Sequence, residues 1–166
     1  MRGFTIALYI LFLCFFYHAA SAQDDTSRLK KLYDRVLDFN SVKADSVLYY
    51  ANYIDREAKR LDFNKGAVLS LRLKGIYQEF REEYDSAINY YYQALEQARM
   101  LKRNEYESAA LSDLAMAYNN IDQPQKARDF FKEAFRVSMQ RKEVSSIFTN
   151  SSNLGSFYNR LGYPDS

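Results

Sequence analysis

The side chains able to do covalent or acid–base chemistry are few, and their spacing suits none of it. Cys14 and His18 are the only cysteine and histidine in the chain, and both lie in an N-terminal stretch with the features of a cleaved leader. Without them there is no ordinary general base near neutral pH and no Ser-His or Cys-His nucleophile. Zinc and copper sites lose their usual ligands as well. Carboxylates remain, for instance Glu82-Glu83 and Glu105 with Glu107. Residues one or two apart do not share a helix face, so neither pair reads as an acid/base dyad; both read as solvated surface. After the leader the glycines are Gly66, Gly75, Gly155 and Gly162, too dispersed for a phosphate-cradling loop. The expectation is a protein that is not an enzyme, with no catalytic residue, cofactor or metal site.

The leader itself is legible. Arg2 gives a short positive start, Phe4 to Tyr17 an apolar run, and Ala20-Ser21-Ala22 a small-x-small exit before Gln23. That order describes a secretory signal over residues 1–22. A membrane-spanning helix needs about 20 apolar residues, and His18 interrupts sooner. Leu13 is too bulky to precede a lipidated cysteine at Cys14. Removing 22 of the 166 residues leaves 144, with 22 basic and 21 acidic side chains once Arg2 is lost. An exported location, periplasmic or secreted, follows as an expectation, with no membrane span in the mature chain. No disulfide can form there, so a hydrophobic core must hold the fold. The near-zero net charge and the scattered basic pairs Lys59-Arg60, Lys102-Arg103 and Arg141-Lys142 argue against nucleic acid. At the ends of helices, such pairs complement the negative pole of the dipole.

What must position any functional side chain is an internal repeat. Val47, Ala87 and Ala127 recur forty residues apart, as do Ala51, Tyr91 and Phe131, and Ile54, Ala94 and Ala134. These steps of four and three mark one helix face. Preceding helices also repeat: Leu73, Tyr77 and Phe80; Leu114, Tyr118 and Ile121; Leu154, Tyr158 and Leu161. The first of these sets is offset by 41, implying a turn before Tyr84 one residue longer than the next. A second register remains open, with Gly75 instead of Lys74 at the small-residue position. Asn64-Lys65-Gly66, Arg103-Asn104 and Gln123-Pro124 separate the helical runs, with Gly162 and Pro164 closing the last; Pro124 suits the first turn of a helix.

Leu111, Leu114, Ala115, Tyr118, Ala127, Phe131 and Ala134 resemble the tetratricopeptide pattern at its signature positions, and Leu154, Gly155 and Tyr158 match the start of another copy. The chain departs from that family in a period of forty instead of 34 and in Met139 standing where the family's closing proline falls, which imply longer helices. The resemblance implies an all-α fold of stacked antiparallel helix hairpins, a right-handed α-solenoid. Residues 23–64 would form a degenerate, capping hairpin, 65–104 and 105–144 two repeats, and 145–166 the first helix of an incomplete one. Asp165-Ser166 stands eighty residues after Asp85-Ser86, so the chain is expected to continue into a second helix. The leader and the Tyr- and Asn-rich long repeats resemble exported proteins of the Bacteroidetes type. Asp45-Ser46-Val47 and Asp85-Ser86-Ala87 also resemble their short O-glycosylation signal, though a helix cap is the simpler reading.

In such arrays the first helices line a concave groove. The resemblance places Gln78 and Glu79, then Ser112, Met116, Asn119 and Asn120, then Ser152, Ser156, Asn159 and Arg160 along it, a polar, amide-rich surface. The implied function is a non-catalytic interaction module holding a peptide or protein segment. The alternative is the extracytoplasmic sensing region of a histidine kinase or membrane-bound transcription regulator. The clamp by which some relatives grip an acidic C-terminus is not implied, since Leu71, Gly75, Asp113, Thr149 and Asn153 stand at its positions.

Overall fold

The computed structural model describes residues 25–37, 43–102, 104–142 and 144–162, so the leader and the terminal Asp165-Ser166 lie outside the described residues. Those described fold into seven helices joined by short turns, with no strand among them. A first helix, α1, covers 25–37. It is followed by α2 (Ala44–Arg60), α3 (Lys65–Phe80), α4 (Tyr84–Met100), α5 (Asn104–Asn120), α6 (Pro124–Arg141) and α7 (Val144–Arg160). From α2 onward each helix packs on the next in sequence, and α5 also touches α3 and α7. The result is the expected stack of antiparallel hairpins.

Side-chain size explains the stacking. Ala87, Tyr91 and Ala94 on α4, and Ala127, Phe131 and Ala134 on α6, are all buried. Small residues let helix backbones approach, and the aromatic between them fills the space beneath. Phe131 meets Phe157 of α7 with ring centroids 5.4 Å apart. Gly66 belongs to α3 and marks no turn: a Cβ there would lie 2.1 Å from the Ala58 Cβ of α2.

The turns set the register. Asp62, Lys102 and Lys142, and separately Glu82, Asp122 and Gly162, adopt the left-handed conformation at intervals of forty. The ends of α2, α3 and α5 close in the same way. Phe63 N–H donates to Ala58 at 2.8 Å, Glu83 N–H to Gln78 at 2.9 Å and Gln123 N–H to Tyr118 at 2.9 Å. These six-to-one bonds satisfy carbonyls that the helix leaves unpaired. Helix α3 ends at Phe80 and α4 begins at Tyr84; α5 ends at Asn120 and α6 begins at Pro124. The two turns are equal in length, which corrects the expected extra residue before Tyr84. Gly75, Ala115 and Gly155 are therefore counterparts, and the Leu73 alignment is one residue off. The acidic residues correct a second expectation. Asp45 and Asp85 lie inside the first turns of α2 and α4, and no side chain caps either helix; they complement the helix dipole instead. Glu107 is not solvated surface either, because it pairs with Arg99 at 2.9 Å and its side chain is 17% exposed.

Candidate functional site

The first helices α1, α3, α5 and α7 together line a cavity of about 450 Å³ with both polar and apolar walls. Its lining includes Tyr33, Arg72, Tyr106, Ser112, Asp113, Met116, Asn150 and Asn153. Arg72 is the centre of it. The guanidinium holds Asp113 with two bonds, one of them Nη2 to Oδ1 at 3.0 Å, and donates through Nη1 to the Tyr33 hydroxyl. The Arg72 and Asp113 side chains are only 12% and 13% exposed. Burial works against the arginine's charge, but Asp113 and Tyr33 more than restore it, so its pKa lies above the usual arginine value. Burial pushes the Tyr33 hydroxyl up to about 12, with Arg72 opposing. A fork-shaped donor meeting a carboxylate in this geometry fixes α3 against α5.

The same two positions are bridged one repeat on, by a neutral hydrogen bond whose donor is on the later helix. Asn153 donates from Nδ2 to the Ser112 hydroxyl at 3.0 Å, and these residues stand forty after Asp113 and Arg72. A second pair of rungs lies nearer the helix ends. Asn120 donates to Glu79 at 3.5 Å, and forty residues later Asn119, with its amide oxygen toward α7, accepts from both Arg160 Nη atoms at 3.2 Å. Both repeat interfaces are thus bridged at two levels by polar pairs from adjacent first helices.

Of the residues the sequence placed in the groove, Ser112 and Met116 line the cavity, and Met116 is 45% exposed there. Glu79, Asn119, Asn120 and Arg160 form the second level of rungs, committed to one another. Glu79 also accepts a 2.9 Å bond from the Tyr91 hydroxyl. Burial pushes its carboxyl up to about 7, with Asp113 adding to the shift and Tyr91 and Asn120 opposing it. Ser152, Ser156 and Asn159 are exposed on α7, outside the cavity lining. Gln78 is half-buried and does not line the cavity either. In the forty-residue register, Glu79 and Phe80 are the counterparts of Asn119 and Asn120, so Gln78 enters the expected set through the register offset alone. The same offset hid Arg72, which falls opposite Ser112 only when the spacing is forty. Tyr33 carried no such signal, because α1 repeats too poorly to be aligned, and Tyr106 carried none because Gly66 and Ser146 stand forty residues before and after it.

No cluster of His, Cys, Asp and Glu suited to a metal ion occurs among the described residues, and none of the helices they form is long and apolar enough to cross a membrane. Comparison with curated proteins finds no match for the chain. Residues 67–140 match the family model described as Tetratricopeptide repeat. That span runs from the first turn of α3 to the last of α6 and takes in both rungs of the α3–α5 interface. With the stacked hairpins already in place, residues 67–140 are similar to tetratricopeptide repeats, which generally mediate protein–protein interaction.

Proposed function

We propose that the chain is a non-catalytic interaction module, exported from the cell, that holds an extended peptide or protein segment along its concave face. The observation that carries this reading is the cavity between the first helices, of a size that takes one or a few side chains. Its exposed apolar residue is Met116, flexible and polarizable enough to accept varied apolar side chains. Around it stand the rings and hydroxyls of Tyr33 and Tyr106 and the amides of Asn150 and Asn153. Arg72 pairs with Asp113 and Lys30 with Asp34, so apart from Glu105 the charges of the lining are matched and the cavity suits polar contacts better than a strongly charged ligand. Export rests on Arg2, the apolar run to Tyr17 and Ala20-Ser21-Ala22. Panning a displayed peptide library on the purified protein tests the groove. Selected peptides are expected to lose most of their affinity for Met116→Arg and to keep it for Tyr49→Arg, a change on the exposed side of α2. Equal binding to both variants would overturn the groove as the binding site.

A further inference from the structure

The charges that line the cavity do not balance: Lys30 and Arg72 stand against Asp34, Glu105 and Asp113. Asp113 is held by Arg72, and Asp34 accepts from the Lys30 ammonium at 3.2 Å. Glu105 is left over. It shares the first turn of α5 with Glu107, and the two carboxylates are used differently. Glu107 pairs with Arg99 at 2.9 Å, whereas no ion pair joins Glu105 among the described residues. The Glu105 carbonyl accepts the Ser108 hydroxyl at 3.1 Å, which fixes the turn that carries the side chain. Its charge acts on the cavity wall: burial raises the pKa of the Tyr106 hydroxyl, and Glu105 adds to the rise.

Glu105, Ala109, Ser112 and Met116 follow one another at steps of four and three, so they share one face of α5, and all four line the cavity. Eleven positions separate Glu105 from the exposed Met116, about 16 Å along a helix axis. An extended chain covers that distance in about five residues. We propose that the segment held in the groove carries one lysine or arginine, whose cation pairs with Glu105, about five residues from the apolar side chain that rests on Met116. This inference rests on the groove reading above and adds the charge and spacing of the ligand to it. A second cation would find no free carboxylate, since Asp34 and Asp113 are engaged. An anion would find no free cation, since Lys30 and Arg72 are engaged with them. Such a pair contributes more to the choice of partner than to raw affinity.

A displayed library of random peptides, panned on the native chain, supplies the probes, and fluorescence anisotropy measures each one. Peptides seated in the groove are recognised by their loss of affinity for Met116→Arg. Among these, a lysine or arginine is expected about five residues from an apolar residue. Glu105→Gln is expected to weaken them about tenfold, as is glutamine in place of the basic residue, and the two changes together no more than either alone. Raising salt from about 50 to 500 mM is expected to weaken binding to the native chain and not to Glu105→Gln. A merely structural effect of the substitution would not move that salt dependence. Groove peptides that lack a basic residue, or that bind Glu105→Gln as well as the native chain, would overturn the inference and leave the groove reading standing. A library that yields no peptide sensitive to Met116→Arg would overturn both.

Discussion

Tyr91 lies so close over Gly75 that a Cβ on the glycine would stand 2.3 Å from its Cε1 atom. The ring comes from the second helix of the hairpin and the glycine from the first. Their contact sets how near α3 and α4 approach, and so where the rest of the α3 side chains point. Gly75→Ala is expected to destabilise the protein by about 1–3 kcal/mol through overpacking. Gly155→Ala, at the counterpart with open space above it, is expected to stabilise by up to about 1 kcal/mol through helix propensity. Chemical denaturation of the two variants at low protein concentration checks both signs.

Asp113 is the groove's most consequential carboxylate for stability. Asp113→Ala would leave the Arg72 guanidinium, 12% exposed, without its partner, at an expected cost of about 3 kcal/mol. Arg72→Met combined with Asp113→Leu should cost much less than the two single changes added together, because neither charge is left behind. A double-mutant cycle in urea reads this directly, and strict additivity would mean the pair is not coupled.

The core was readable from the sequence and the groove only in part, for a local reason. The stripe of Ala87, Tyr91 and Ala94 repeats in kind at Ala127, Phe131 and Ala134, since packing between helices tolerates little change in volume. On α3, however, Leu73 and Lys74 stand where α5 has Asp113 and Leu114. Matching the leucines shifts the register by one and turns Arg72 and Glu79 out of their true places. Leu73 is itself fully buried, so hydrophobicity alone selects the wrong alignment. The turn residues carry the correct one, yet Glu82 is not a residue type that announces a left-handed turn, and Asp122 signals one far more weakly than glycine would.

Burial raises the Glu79 carboxyl from an ordinary 4.5 to about 7, which gives stability a defined pH dependence. A carboxyl whose pKa is raised on folding favours the folded state while protonated. Its contribution is fully present below about 4.5 and is lost as pH rises through 7. The difference in unfolding free energy between the native chain and Glu79→Gln should therefore change by about 2–3 kcal/mol between pH 4.5 and 8, the native chain losing ground as pH rises. Urea titrations at four or five pH values suffice. A flat difference would mean the carboxyl keeps its ordinary pKa.

Ala134 is fully buried and Lys132, two residues before it on α6, is exposed. Ala134→Leu is expected to cost about 1–3 kcal/mol by overpacking against α7 and α5, and Lys132→Leu less than about 0.5 kcal/mol. Comparable losses in chemical denaturation would contradict the assignment of the two faces of α6.

The claim that the concave face holds a protein segment is tested most directly by a photo-crosslinking amino acid introduced at Met116. Placed there and, separately, at Tyr49, it is irradiated in the chain produced by its native cell. The account predicts a discrete crosslinked protein species in the exported fraction from position 116 and none from position 49. Equal crosslinking from both positions, or none from 116 at any expression level, would contradict it.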